Sequence, residues 1–284
     1  MSEQDATEQP GITPMARRTA GTMFAALYGE LVVHSWHDPA SEHDAYQLFH
    51  QRSLAMGWLD DRASTVEGDD PEKRAAVAPG LWAMNDAGWS HPLAAPAPNL
   101  ISWFQVEASA VAGDRPLPVQ PFLRCAEDTT ARIGTVRLSA VQILLPVQGL
   151  DASSRPPYAL VPSLQTIDWF GEYDPRSRTS VKIRIDSGRD PSISSVAPQL
   201  ARRFSQLDQG VFVYGTNELA DPDGAPTPPF DDSFWNGPPQ HGTTLTGELV
   251  EWSCEAVGWL AEAVADSAAG LGVHAPLLLT VTRT

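Results

Sequence analysis

A β-prone run that leads directly into an amphipathic helix constrains the fold more than any other part of this sequence. The run TMFAALYGELVVHSW at 22–36 is apolar and rich in strand-forming residues, and Gly29 within it indicates a bulge or kink. Ser41 is placed to cap the helix that follows, whose apolar positions keep the helical period until Gly57 ends it in the left-handed conformation. The sequence therefore predicts a strand-to-helix unit of the kind that lies on a sheet.

Further elements are predicted from the same two periodicities along the rest of the chain. The additional predicted strands are 81–84, 100–112, 131–148, 180–186, 210–215 and 276–282. The additional predicted helices are 193–207 and a last helix that begins at a Thr246 cap and ends at Gly270. The runs at 100–112 and 131–148 are expected to pair as antiparallel strands, the second with a bulge where its alternation changes phase. The apolar strand at 276–282 is expected to lie centrally in a sheet.

The order of these elements predicts an α+β fold of two lobes, each with helices packed on an antiparallel or mixed sheet. Residues 1–19 are polar and show no periodicity, which is typical of a disordered tail. The segment GLDASSRPPY at 149–158 is rich in Gly, Ser and Pro and is the predicted linker, giving lobes at 20–150 and 151–284. Because strands and helices follow one another similarly in both lobes, the predicted topology is a tandem ferredoxin-like arrangement.

The charge and the cysteines restrict the class of partner and the compartment. The sequence has 19 Lys and Arg against 35 Asp and Glu, a net charge of −16, which repels phosphate backbones and anionic membranes. Neither nucleic acid nor a membrane is therefore an expected partner. Cys125 and Cys254 lack neighbouring Cys or His at metal-ligand spacing and are expected to be reduced, buried thiols. The polar, acidic N-terminus does not resemble a secretion signal, and a cytoplasmic location is expected.

A cluster of histidine and acidic residues is the one local concentration of side chains suited to metal binding or acid–base chemistry. The candidate metal ligands are His34, His37, Asp38 and His43. A shared site requires the turn at 37–39 to fold back over the start of the helix, because His34 and His37 point to opposite faces of a regular strand. The alternative is a histidine at a strand end, a solvated turn and a capped helix. No cofactor is expected apart from this candidate metal.

A long loop at 217–244 is dense in Pro, Gly and Asp but contains three large aromatic residues. Phe230, Phe234 and Trp235 either pin the loop to its own lobe or form a binding surface for a partner. The turn at 186–190 follows a strand and precedes a helix, a position at which α/β proteins often hold ligands. The same residues are also explained by turn and N-cap chemistry alone. Neither a GxSxG sequence nor a cysteine in an electropositive setting supports nucleophilic catalysis.

The N-terminal unit resembles one group of known bacterial proteins. The features of the resemblance are the Leu-Val-Val-His strand at 31–34, then Ala45-Tyr46 and Leu48 in the helix, and then Met56-Gly57. They resemble the opening of bacterial proteins associated with caspase-like proteases and TPR repeats in predicted conflict systems. The resemblance implies a non-enzymatic accessory or sensor subunit whose partners perform the chemistry, and no catalytic residue transfers from it.

Two functions of different classes follow from these observations. The first is a non-enzymatic cytoplasmic interaction or sensor protein, or accessory subunit, of a multi-component bacterial system. Its protein partner would contact the aromatic-containing loops or the acidic face of the last helix, which includes Glu248, Glu255 and Glu262. The alternative is a small-molecule or metal-assisted enzyme with the cluster at 34–44 near its site.

Overall fold

The computed structural model describes residues 19–38, 43–60, 80–89, 99–113, 115–151, 169–207, 210–219 and 226–284. The strands within these residues are β1 (Thr19–Val33), β2 (Trp82–Gly88), β3 (Leu100–Ser109), β4 (Gly134–Leu145), β5 (Thr179–Asp186), β6 (Phe212–Leu219), β7 (Gly242–Leu249) and β8 (Leu277–Arg283). The long helices are α1 (Ala45–Ala55), α2 (Val119–Thr130), α3 (Ser192–Gln206) and α4 (Cys254–Ala269).

The strands form one antiparallel eight-stranded sheet in the order β2-β3-β1-β4-β8-β5-β7-β6. The chain passes through β-α-β-β-α-β from β1 to β4 and repeats that sequence from β5 to β8. The two halves meet where β8 lies between β4 and β5. The predicted α+β class is therefore confirmed, but the strands form one continuous sheet where a separate sheet in each lobe was predicted. The apolar strand at 276–282 lies centrally, as expected.

Parts of the predicted domain organisation fall outside the described residues. Residues 1–18 of the predicted tail lie outside them, while Thr19 already belongs to β1. Most of the predicted linker lies within 152–168, which is also outside them, so the division into lobes at 150/151 stays a prediction. Ser41, the predicted helix cap, is likewise outside, and the observed cap of α1 is Asp44, whose Oδ1 accepts a hydrogen bond from the Gln47 backbone N–H at 2.8 Å.

The bulge predicted at Gly29 is present and shapes the central pair of strands. The register between β1 and β4 shifts between Tyr28 and Gly29, opposite Ala140 and Leu138. Gly29 has φ +149°, and a Cβ added there would overlap the Arg137 carbonyl oxygen. Only glycine therefore fits without displacing the neighbouring strand. The change of phase noted in the sequence of β4 marks the same shift. The predicted left-handed Gly57 is also confirmed, at φ +68°.

Two predicted features of the secondary structure are wrong, and one helix was missed. The runs at 100–112 and 131–148 do not pair with each other, because β1 lies between β3 and β4. Helix α2 was not predicted, since Pro118 and Pro121 interrupt the pattern, yet both prolines lie before or within the first turn, where a missing N–H costs little. Residues 242–249 form β7, so the last helix begins not at Thr246 but after Ser253, whose side chain caps it.

The helices cover one face of the sheet, and the main hydrophobic core lies between them. The strands contribute alternating side chains, such as Val181, Ile183 and Ile185 of β5, each of which is at most 1 % exposed. Fully burying an aliphatic side chain of this kind stabilises a protein by roughly 1.5–3 kcal/mol. The predicted acidic, solvated face of α4 is corrected here, because α4 packs against α2 and its Glu262 is only 2 % exposed. That helix face is therefore not an open contact surface along its whole length.

The opposite face of the sheet, called the open face below, has no long helix packed on it among the described residues. Its apolar part is a second cluster of buried residues that includes Phe24, Tyr28 and Trp103. Residues 226–241, called the roof below, cover this cluster through Phe230 and the partly buried Phe234 and Trp235. A segment that precedes β7 therefore reaches across the sheet to strands β1 and β3. In the part of the chain that the structure describes, no helix is long and apolar enough to span a bilayer.

Candidate functional site

The histidine cluster surrounds one end of strand β1 and the start of α1. His34 stacks on Trp36 with ring centroids 4.8 Å apart, and its Nε2 lies 3.2 Å from the Ala131 carbonyl oxygen. His37 and His43 both line a cavity of about 810 Å³ between the end of β1, α1 and the end of α2. The structure therefore brings two of the four predicted metal ligands to one cavity and turns His34 toward the end of α2.

The metal site itself stays a prediction. Among the described residues, which include Asp38 but omit 39–42, no group of three or more His, Cys, Asp or Glu side chains is placed to hold a metal ion. The wall of the cavity near α2 instead contains an ion pair, in which Arg52 Nη2 lies 2.5 Å from Asp128 Oδ2. Arg124 lies 3.2 Å from the other oxygen of Asp128. These pairings give the Asp128 carboxylate protein partners on both oxygens.

A second cavity, of about 310 Å³, lies between the open face and the roof and is called the roofed cavity below. Three neighbouring strands supply its polar floor: Gln142 of β4 is paired with Thr280 of β8, which is paired with Arg184 of β5. Directly paired residues of antiparallel strands point to the same face and lie about 5 Å apart. The register of the sheet therefore places an amide, a hydroxyl and a guanidinium side by side in the middle of one face.

Gln142 organises the floor of the roofed cavity through three hydrogen-bonding neighbours. Its Nε2 donates to Thr280 Oγ1 and to the Pro226 carbonyl oxygen, each at 3.1 Å. The Tyr28 hydroxyl lies 3.3 Å from Gln142 Oε1 and also 3.3 Å from the Thr227 carbonyl oxygen. Burial raises the pKa of Tyr28 well above its ordinary value, so the phenol remains a neutral donor. Both contacts to the roof hold its first residues against the sheet.

A buried ion pair forms the other side of the floor. Arg184 Nη2 lies 3.4 Å from Asp186 Oδ2, and the two side chains are 12 % and 2 % exposed. Asp186 Oδ1 also accepts a hydrogen bond from the Gly188 N–H at 2.8 Å. Burial raises the pKa of Asp186, and the Gly188 N–H and the Arg184 charge oppose that rise. The roofed cavity therefore presents both signs of charge at low solvent exposure.

The turn at 186–190, noted in the sequence as a candidate ligand position, anchors the roof. The Arg189 N–H donates to the Asn236 carbonyl oxygen at 2.8 Å, and Asn236 Nδ2 donates to the Ser187 carbonyl oxygen at 3.2 Å. Gly188 has φ +68°, and a Cβ there would overlap the backbone of Asn236. This close approach requires glycine, and it fixes the far end of the roof to the strand that contains Arg184 and Asp186.

The three aromatic residues predicted to bind a partner lie within or beside the roof contacts. Phe230 is 9 % exposed, lines the roofed cavity and packs edge-on against Phe24 at a centroid distance of 4.8 Å. Phe234 lies 6.0 Å from Phe24 and 5.0 Å from Phe230, and Trp235 packs against the same cluster. These are the contacts expected if the aromatics pin the loop, although they join it to β1 of the first half. Their role in partner binding stays a prediction.

Sequence inspection missed Gln142, Arg184 and Thr280 as site residues. Arg184 and Asp186 are on the charged side of an alternating strand, which predicted exposure to solvent. One signal was available, since Gln142 interrupts the apolar run VQILL in the middle of a strand. Both cysteines are buried and unpaired with each other, as expected, and burial raises the pKa of each thiol, so neither is an activated nucleophile.

No protein-family model, curated protein or solved structure matches the chain.

Proposed function

We propose that this chain is a binding protein, a sensor or accessory subunit rather than an enzyme, that takes a small polar molecule in the roofed cavity. The observation that supports this function is the group of polar side chains at the middle of a sheet face beneath the roof: the buried Gln142 and Asp186 and the largely buried Arg184. Pockets with a largely apolar wall and a few converging polar groups are the usual form of small-molecule sites.

Stability alone explains these polar residues poorly. Removing two charges from water costs several kcal/mol per ion, and a buried ion pair is often no better than apolar residues of similar volume. The same face of the sheet is apolar two residues further along the strands, where Leu278 pairs with Leu144. The Gly188 N–H gives one oxygen of Asp186 a structural role, whereas an apolar residue in place of Arg184 would suit this face. The place of Arg184 and Asp186 in the lining of the roofed cavity, where a bound molecule would contact them, explains their presence better.

Binding accounts for the lining of the cavity better than catalysis does. Among its described lining residues, the charged groups are Arg184, Asp186 and Asp232, and the hydroxyl of Thr280 already accepts a hydrogen bond from Gln142. This set has no nucleophile paired with a base, which covalent chemistry requires, and no histidine, the commonest general acid or base.

The wider biological role is part of the same proposal. A cytoplasmic sensor in a bacterial conflict system, with a protein partner, agrees with the resemblance of the N-terminal unit and with the acidic net charge. We also propose that the halves are two ferredoxin-like units in tandem. The support is the repeated β-α-β-β-α-β connectivity, in which each half has its fourth strand beside its first, then its third, then its second.

A thermal-shift screen of a metabolite library tests the binding function. A ligand at about a hundred times its Kd stabilises the folded state by about 2.7 kcal/mol, which for a chain of this size raises Tm by roughly 5 °C. The expected hits lose their effect in Arg184→Met. The matched control is Lys182→Met on the same strand, which removes an equal charge outside the cavity and should retain the shift. A library without any stabilising compound, or equal shifts in both variants, would contradict the proposal.

A metal-assisted enzyme is the second candidate, and one observation favours it: His37 and His43 line the same large cavity. Metal analysis of protein purified without chelators tests this function. Stoichiometric zinc, iron or manganese that is lost in His37→Ala and retained in His50→Ala would support it. His50, which stacks on Tyr46, is a control from the same cluster of histidines. A metal-free wild-type protein that also fails to bind added metal would exclude it.

A further inference from the structure

We infer that the ligand of the roofed cavity is a free amino acid with an apolar side chain, an inference that rests on the proposed binding function. Its carboxylate would bind Arg184, its ammonium group would face Asp186 and Asp232, and its side chain would lie against the apolar part of the roof. Each of these three parts corresponds to a different section of the cavity wall.

The charges of the wall favour a zwitterion. Arg184 contributes one positive charge and the buried Asp186 one negative charge to a cavity of about 310 Å³, and the solvent-exposed Asp232 adds a second, partly screened negative charge. A phosphorylated or otherwise polyanionic ligand would face two carboxylates at close range. A simple cation would instead lie beside the guanidinium of Arg184. A molecule with both charges satisfies both sides of the wall, and Arg184 and Asp186 are already fixed 3.4 Å apart along one strand.

The remaining surface of the cavity selects the side chain. Apart from the polar floor, Thr227 and Asp232, the lining is apolar and comes from both the roof and the sheet: Pro226, Pro228, Phe230, Pro238, Pro239 and Leu278. Proline and phenylalanine rings present rigid apolar surfaces that bury hydrocarbon without a large loss of their own conformational freedom. An aliphatic or aromatic side chain therefore fits this section, whereas a charged one would lose its hydration without a partner.

The volume sets an upper limit on the ligand. Pockets for drug-sized molecules span roughly 300–1,000 Å³, so a cavity of about 310 Å³ lies at the small end of that range. A single amino acid fits within it. A dinucleotide or a folded peptide does not fit, because most of such a molecule would extend out of the cavity.

Isothermal titration calorimetry with a matched set of leucine derivatives tests the inference on the unmodified protein. L-leucine and L-phenylalanine are expected to bind. Leucinamide lacks the carboxylate and N-acetyl-leucine lacks the ammonium group, and each should bind at least tenfold more weakly. Arg184→Met should reduce the affinity for leucine by at least tenfold but have a much smaller effect on leucinamide, while Lys182→Met should affect neither.

The outcomes separate this inference from the function beneath it. If leucine and phenylalanine fail to bind while another library compound binds in an Arg184-dependent way, the ligand class is wrong and the binding function stands. If leucinamide or N-acetyl-leucine binds as tightly as leucine, the zwitterion argument is overturned. If no compound binds at all, both proposals fail. Because the derivative series uses wild-type protein, these outcomes do not depend on whether Arg184→Met folds.

Discussion

A buried carboxyl group between two helices should make this protein more stable in mild acid than in mild base. Glu262 of α4 is 2 % exposed and faces the first turn of α2. Its Oε1 accepts a hydrogen bond from the Gln120 backbone N–H at 2.9 Å, and its Oε2 accepts one from Gln120 Nε2 at 2.7 Å. Burial raises the pKa of Glu262 to about 8, and the hydrogen bonds from Gln120 and Val119 only partly oppose that rise.

The sign and the size of the effect follow from the protons bound in each state. In the unfolded chain the Glu262 carboxyl titrates near 4.5, so between that pH and about 8 the folded state holds a proton that the unfolded state has lost. The free energy of unfolding therefore decreases as pH rises, by about 1.4 kcal/mol per pH unit. Between pH 5 and pH 8 this one group should remove roughly 3–4 kcal/mol of stability.

Urea unfolding of the wild type and Glu262→Gln at pH 5, 6, 7 and 8 measures this effect. The amide keeps the shape of a protonated carboxyl and does not titrate, and like that carboxyl it keeps both contacts once the Gln120 side-chain amide turns its oxygen toward residue 262. Relative to Glu262→Gln, the wild type should lose roughly 3–4 kcal/mol between pH 5 and pH 8. Glu30→Gln, at an exposed site beside Arg137, controls for the loss of one negative charge. Parallel pH profiles for the wild type and Glu262→Gln would refute the argument.

Three further predictions concern the bulge, the roof and the thiols. Gly29→Ala should lower the free energy of unfolding by more than about 1 kcal/mol, whereas Gly171→Ala, where a Cβ meets open space, should not; equal urea midpoints would contradict this. Phe24→Ala should cost about 3–5 kcal/mol and speed amide exchange in the roof, because its ring holds two roof aromatics; unchanged roof exchange would show another anchor. Cys125 and Cys254 should react with a thiol reagent only after unfolding, and fast labelling of native protein would disprove their burial.

Local periodicity was enough to predict several elements of the fold. The alternation in β5 and the apolar run of β8 each identify a buried strand without reference to any other part of the chain. Strand β7 was missed because Thr246 and Glu248 resemble a helix cap and first turn, while in the sheet Thr246 instead contacts Thr216 across the strand pair. Threonine is suited both to a helix N-cap and to a strand, and only the pairing partner shows which role it has.

The candidate site was much harder to predict than the fold. The histidines predicted a metal site because they are close in sequence. Among the described residues, however, no group of three ligands is placed to hold a metal ion. Gln142, Thr280 and Arg184 come from three separate strands and become neighbours only through the sheet register. Single-sequence periodicity predicts which face a strand residue occupies, but not which residue of another strand lies beside it.

The position of β8 has a consequence for how the chain is made. This strand follows the other seven in chain order, yet it fills the gap between β4 and β5 at the centre of the sheet. While the second half is being synthesised, β4 has β1 as a partner on one side but lacks β8 on the other. That side of β4 is open to pairing with other nascent chains until β8 arrives. Translation beyond β4 is therefore the interval in which this protein is most exposed to misassembly.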